Sequence, residues 1–339
     1  MSNRTAAVAV PALLLLAILG GPVAAQDPTP TPSQPAQVQR LAGPTRLETA
    51  ISLSQNTFGP GDAPVVVLAR SDEFADALAG APLAAKERGP ILLTPPDGLV
   101  DITAAEIQRV LPPGGVVYLL GGPAALSERV AQDVAALGYT PQRLQGPSRY
   151  ETAIAIADAA STRPQFITIA TGNAFGDALI AGSLAAASAD GVTVLTNGPS
   201  LPASVGRYLQ DHADVLKTTI GPDAHEAVPE PKPFNVSGAD VFARSVVTAE
   251  TFYGVDDPDT APRGVAIASG EAFPDGLAGG AHTFLAGRLP LLLTRQDQIS
   301  DAALSYIAQI PSPQRAYLYG GDAAVSGAVE QQVNQALAS

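Results

Sequence analysis

The twelve residues RLAGPTRLETAI (40–51) return as RLQGPSRYETAI (143–154). Nine positions are identical (R, L, G, P, R, E, T, A, I), more than chance supplies. A third copy, NVSGADVFARSV (235–246), keeps little more than the glycine. Each opening leads to an apolar run and then to FADAL (74–78), FGDAL (175–179) or FPDGL (273–277). PILLT (90–94), VTVLT (192–196) and PLLLT (290–294) follow in turn. The first and third copies end on VVYLLGGPAAL (116–126) and RAYLYGGDAAV (315–325), and the second on KTTIGPDAHEA (217–227). Repetition at this period means one structural unit copied three times, with modules over 40–140, 143–234 and 235–339.

Within a module the pattern alternates. APVVVLA (63–69) is a short continuous apolar run rich in β-branched residues, the mark of a strand buried on both faces. ETAISLSQNTF and DALAGAPLAAKER carry helical spacing, PILLT and VVYLL read as strands, and SERVAQDVAAL is a helix with Ser127 as N-cap. Strands alternating with helices predict an α/β fold of right-handed βαβ units, with parallel sheets covered on both faces. After Gly221 the prolines of PDAHEAVPEPKPF predict an irregular connector in place of the module's last helix.

A length of 339 residues accommodates two or three domains. With 46% hydrophobic and 15% charged residues, the chain has ample material for cores. No cysteine is present, which excludes disulfides and thiolate metal sites. A net charge of −13 argues against nucleic acid or an anionic membrane as partner. Residues 1–25 carry one charge, Arg4, then an apolar run and PVAA, and read as a secretory signal peptide cleaved after Ala25. No membrane attachment is then expected in the mature chain. Residues 26–39 are a Pro-rich spacer. The C-terminal EQQVNQALAS has neither a hydrophobic tail nor a sorting signal, so retention at a surface is expected to be non-covalent.

Taken together, R-L-x-G-x-x-R-x-E-T-A, F-x-D-A-L, L-L-T and a strand ending in Gly-Gly resemble the cell wall-binding repeat type 2 family, in three tandem copies. The match is tight in the first two modules and looser in the third. The resemblance implies a secreted Gram-positive surface protein held non-covalently on an anionic wall polysaccharide. It also implies Rossmann-like or Toprim-like modules about a pseudo-threefold axis, a pseudo-trimer within one monomeric chain. Many members carry an added effector domain; three modules use all the residues here, so none is expected.

Several repeated residues have two readings. Asp76, Asp177 and Asp275 stand at helix starts, and either serve as N-cap or first-turn carboxylates or line the crevice at the carboxyl ends of the strands, where open α/β sheets bind ligands. Gly121–Gly122 and Gly320–Gly321 are either tight turns or backbone that approaches an anion. Thr94, Thr196 and Thr294 either hold strand-to-loop turns or offer hydroxyls to the crevice. Arg46 with Glu48, and Arg149 with Glu151, either pair to orient a helix or leave the arginines as anion grips. Val241 stands at the equivalent place in the third module and cannot repeat that contact. If a site needs both opening and glycine loop from one module, only the first module has it whole. If sites form between modules, one module's loop serves another's opening.

Two function classes follow. The first is a non-catalytic wall-binding protein with no cofactor, in which local arginines, helix N-termini or a bridging divalent cation offset the acidic balance toward an anionic polymer. The second is a wall hydrolase, amidase-like or glycosidase-like. A zinc amidase needs converging histidines and carboxylates, and the chain has only His212, His225 and His282, none at a repeated position. His282 takes the place of Leu83 and Leu184 and reads as a partly buried variant. Paired carboxylates in a crevice keep a glycosidase open. A third class, nucleotide binding, lacks both a dinucleotide fingerprint and a P-loop.

Overall fold

The structure, a computed structural model, describes residues 37–338 except 189, 257–260, 272, 273, 312 and 314. The expected signal peptide, all but the end of the spacer, and Phe273 lie outside these residues. The first repeat runs β1 (Gln37–Leu41), α1 (Arg46–Thr57), β2 (Val65–Arg70), α2 (Ala75–Lys86), β3 (Ile91–Thr94), α3 (Asp101–Val110), β4 (Val116–Leu120) and α4 (Glu128–Ala136). The second runs β5 (Thr140–Leu144), α5 (Arg149–Ala160), β6 (Phe166–Thr171), α6 (Phe175–Ala186), β7 (Gly191–Thr196), α7 (Ala203–Asp211), β8 (Leu216–Ile220) and α8 (Pro222–Ala227). The third runs β9 (Phe234–Val236), α9 (Val241–Phe252), β10 (Gly264–Ser269), a 3-10 turn (Pro274–Gly276), α10 (Gly279–Leu285), β11 (Leu291–Thr294), α11 (Asp301–Gln309), β12 (Arg315–Tyr319) and α12 (Gly327–Leu337).

Three parallel four-stranded sheets result, ordered β3-β2-β4-β5, β7-β6-β8-β9 and β11-β10-β12-β1. The fourth strand of every sheet comes from the next repeat. β5 adds to β4, β9 adds to β8, and β1 closes the ring against β12 with Gln37 opposite Arg315 and Leu41 opposite Tyr319. None of these three strands is marked in the sequence. QVQRL is exposed and half-buried by turns until Leu41, so it shows no apolar run to read. A strand on a sheet edge needs none, because its neighbour supplies the pairing.

At the centre α2, α6 and α10 pack against one another. These are the helices that follow F-x-D, and they are apolar all round because they are buried all round. Small residues set their approach. A Cβ on Gly182 would run into the Leu78 carbonyl of α2, one on Gly280 would stand 2.9 Å from Ala81, and Ser183 and Thr283 share a 3.0 Å hydrogen bond. The core around them takes in residues from all three sheets.

Two expectations need correction. After Gly221 the chain forms one short helix, α8, with Pro222 at its first position, where the missing N–H costs nothing. Only Val228–Pro233 is irregular. The helix stays short for a reason on β8. Val117 and Leu119 in the first repeat, and Ala316 and Leu318 in the third, give the outer helices an apolar face, but the second repeat has Lys217 and Thr219 there. Secondly, His282 is fully rather than partly buried. Its Nδ1 accepts from the Tyr319 hydroxyl at 2.7 Å and its Nε2 donates to the Asn56 amide oxygen at 2.9 Å.

Two measurements test this packing. Gly182→Ala improves intrinsic helix propensity, yet the Leu78 carbonyl leaves no room, so denaturant unfolding should show a loss of about 1–3 kcal/mol. Burial holds the His282 pKa at about 3, against 6.5 for a free imidazole. Its neutral form therefore supports folding fully above about pH 6.5, and the support drains away as pH falls toward 3, by up to about 1.4 kcal/mol per pH unit. His282→Leu should flatten the stability–pH curve across that window.

Candidate functional site

Each exchanged strand ends at the same joint. The carbonyls of Leu41, Leu144 and Val236 accept the N–H of Gly320 (2.9 Å), Gly121 (2.8 Å) and Gly221 (3.1 Å). All three glycines have positive φ (103°, 95° and 86°), and a Cβ on any of them would press on the carboxylate of Asp275, Asp76 or Asp177 respectively. Glycine is thus required twice over, by the backbone and by the aspartate. The repeated aspartate is neither exposed nor a side-chain cap: the helix N-caps are Phe74 and Ala174, which make no capping bond. Asp275 sits in the 3-10 turn instead, since the glycines of PDGLAGG delay α10 until Gly279.

A pair of arginines not considered from sequence holds the loop beyond. Arg143 donates to the carbonyls of Gly121 (3.0 Å) and Leu126 (2.7 Å), and Arg40 to those of Gly320 (2.8 Å) and Val325 (2.7 Å). The signal was present, since both openings begin Arg-Leu. Gly122 and Gly321 then close tight turns, their carbonyls accepting from Ala125 and Leu126, and from Ala324 and Val325. Thr94, Thr196 and Thr294 are buried and tie their loops through Gly98, Gly198 and Gln298 carbonyls at 2.8–3.0 Å. Their hydroxyls hold turns rather than face a ligand.

The opening charges do not pair as Arg–Glu. Glu48 closes a capping box with Thr45, and Glu151 accepts from Ser148 (2.5 Å) and Ser204 (2.6 Å), which lowers both carboxyl pKa values. Arg46 donates to the Ser71 carbonyl and Arg149 to the Gly172 carbonyl (2.7 Å), each bracing the loop after its own repeat's central strand. Arg149 also reaches back to the first repeat, where it stands 3.8 Å from Glu73 and 6.0 Å from the Phe74 ring.

What meets at the carboxyl end of a sheet therefore belongs to two repeats. In the first sheet a cleft of about 220 Å³ brings Asp76, Gly121 and Gly122 together with Ser148 and Arg149 of the second opening, and Arg70 flanks it. Burial pushes the Asp76 carboxyl up, and the Arg70 and Arg149 guanidinium groups pull it back down. Arg46 is elsewhere, because β1 carries its opening to the third sheet, where α1 packs on the turn holding Asp275. In the second sheet the joint is filled. Arg244, one helical turn beyond Val241, grips buried Asp177 with Nε at 2.7 Å and a terminal nitrogen at 3.2 Å. Burial raises the Asp177 carboxyl and Arg244 opposes that rise. Among the described residues no three His, Asp or Glu side chains are grouped to hold a metal ion.

A ring of three Rossmann-like α/β repeats, closed by exchanged strands and indented at their joints, defines a repeat scaffold whose surface sites lie between units. The chain belongs to the Cell wall binding domain 2 (CWB2) family, which matches residues 40–131, 143–222 and 235–330. It is accordingly a secreted, wall-associated protein that binds the cell wall. Over 309 residues it is 25% identical to the N-acetylmuramoyl-L-alanine amidase LytC of Bacillus subtilis (strain 168), covering 90% of this chain and 59% of that protein. It is 32% identical to the Amidase enhancer of the same organism over 167 residues, 49% of this chain and 23% of that one. The fold matches Cwp8 from Clostridium difficile (TM-score 0.77, 21% identity, 89% of this chain and 52% of that one) and Cwp6 from the same species (0.75, 24%, 88% and 48%). The chain thus spans about half to three-fifths of the length of its longest matches. No helix among the described residues is long and apolar enough to cross a membrane.

Arg244→Ala would leave Asp177 buried without a partner, so it should lower stability by about 3–5 kcal/mol. Adding Asp177→Asn should restore part of that loss, read by denaturant unfolding of the single and double variants.

Proposed function

We propose that the chain is a non-catalytic binding protein that grips an anionic secondary polymer of the wall at the joints between repeats. The observation that carries this is the first-sheet cleft, where Arg149 of one repeat stands over the aspartate and Gly-Gly turn of another. A guanidinium meets phosphate or carboxylate in two parallel hydrogen bonds, and Arg149 keeps 37% of its side chain exposed. Arg244 is only 13% exposed and its fork is already occupied by Asp177. With a net charge of −13, long-range attraction cannot draw a polyanion in. Recognition must be local, and repeated weak contacts on one polymer would multiply it. A divalent cation held mainly by polymer oxygens would offset Glu73 and Asp76 at the cleft.

The test is co-sedimentation of the chain with isolated Gram-positive walls, before and after the acid-labile polymer is stripped, with muropeptide release followed in the same samples. Pelleting should vanish on stripping, release should stay at background, and chelation should weaken pelleting. Arg149→Ala should weaken it about tenfold or more while the chain still unfolds cooperatively. Release of muropeptides, or pelleting indifferent to stripping, would overturn the proposal.

A further inference from the structure

At the opposite end of the axis from the joints, the C-termini of α2, α6 and α10 surround a mouth of about 540 Å³. Its walls are apolar, formed by Pro82, Ala85, Ala160, Ala186 and the half-buried ring of Phe284. Its rim is basic. Lys86 pairs with Asp190, which leaves Arg88 and Arg288 uncompensated in a chain whose acids outnumber its bases 32 to 19. The Arg88 guanidinium has no partner among the described residues, and that of Arg288 spends only Nε, on the Ala187 carbonyl at 2.9 Å.

Cations are expected at helix C-termini, where they complement the dipole. That role takes only the Arg288 Nε, which meets the Ala187 carbonyl at the end of α6, and leaves the rest of the pair unused. The last-turn carbonyls already accept backbone N–H groups: Ala84 from Gly89, Ala85 from Arg88, Ala185 from Ser188, Thr283 from Leu289 and Phe284 from Arg288. Both arginines hold left-handed backbone (φ 54° and 60°), as Asp190 on the same rim does (47°), the conformation with which a chain commonly leaves a helix.

We infer that this axial mouth is a second ligand site, taking a carboxylate or phosphate on a compact, partly apolar body such as an acidic N-acylated sugar. The two guanidinium groups would grip the anion. The alanine and Phe284 walls would cover the acyl group, and the volume is that of an ordinary small-ligand pocket. Only the choice of a wall sugar as the body rests on the wall-binding reading; the anion site itself does not.

Saturation-transfer NMR titration of the whole chain tests it with three probes: N-acetylmuramic acid, N-acetylglucosamine 1-phosphate and neutral N-acetylglucosamine. The acids should bind with Kd on the order of 1 mM or tighter and the neutral sugar more weakly. The tighter acid names the source of the anion, carboxylate or phosphate. Arg88→Ala/Arg288→Ala should weaken acid binding about tenfold or more, and Arg129→Ala, an exposed change on α4 away from both clefts, should leave it unchanged. Equal binding of the neutral sugar, equal loss through Arg129→Ala, or a double variant that shifts only the melting temperature would each overturn the inference. Failure of wall pelleting with acid binding intact would count against the polymer reading alone.

Discussion

Three helices share one axis, and where they cross there is room for glycine, alanine, serine and threonine and little else. That constraint organises the molecule. It accounts for the small residue five positions after each repeated aspartate (Ala81, Gly182 and Gly280), because each copy must present small residues to the other two helices. It also accounts for the shortening of α10, whose glycines allow close approach but weaken the first turn, so that Asp275 falls into a 3-10 turn. The aspartate is bound to the same constraint. Positioned by the start of the central helix, it lies against the one glycine at which the fourth strand can be received.

The central strands and most helices were legible from sequence because burial on both faces leaves a run such as VVVLA that has no other explanation. The exchanged edge strands were not. QVQRL and TPQRL look like linker, and a sequence in chain order carries no sign that a strand pairs outside its own repeat. The short α8 was misread in the other direction. Four prolines were visible, but the polar Lys217 and Thr219 beneath, which leave no apolar face to cover, became interpretable only once β8 was placed beside β6.

The same offset explains what was and was not readable at the site. Repetition picked out Asp76, Gly121, Gly122 and Arg149 as residue types, and they do meet. What sequence left open was which copy meets which, since a single strand exchange moves every opening onto the preceding sheet. Arg244 was overlooked because it is displaced by one helical turn from the arginines of the other openings. On a helix that displacement keeps the side chain on the same face. Arg40 and Arg143 lie on the exchanged strands rather than among the charges of the opening helix, so their role shows only once those strands are paired.

Ring closure has a consequence for how such proteins can change over time. An open solenoid can gain or lose a repeat at either end and keep all its other interfaces. Here the last sheet takes its edge from the first strand of the chain, so a fourth copy would have to break β1 from β12 and find a new angle for every central helix. Copy number is therefore a property of the geometry, not of the gene's history. Variation is confined to editing units in place, which is the pattern seen: the second repeat has shortened its last helix and the third has lost its opening arginine, while the count stays at three.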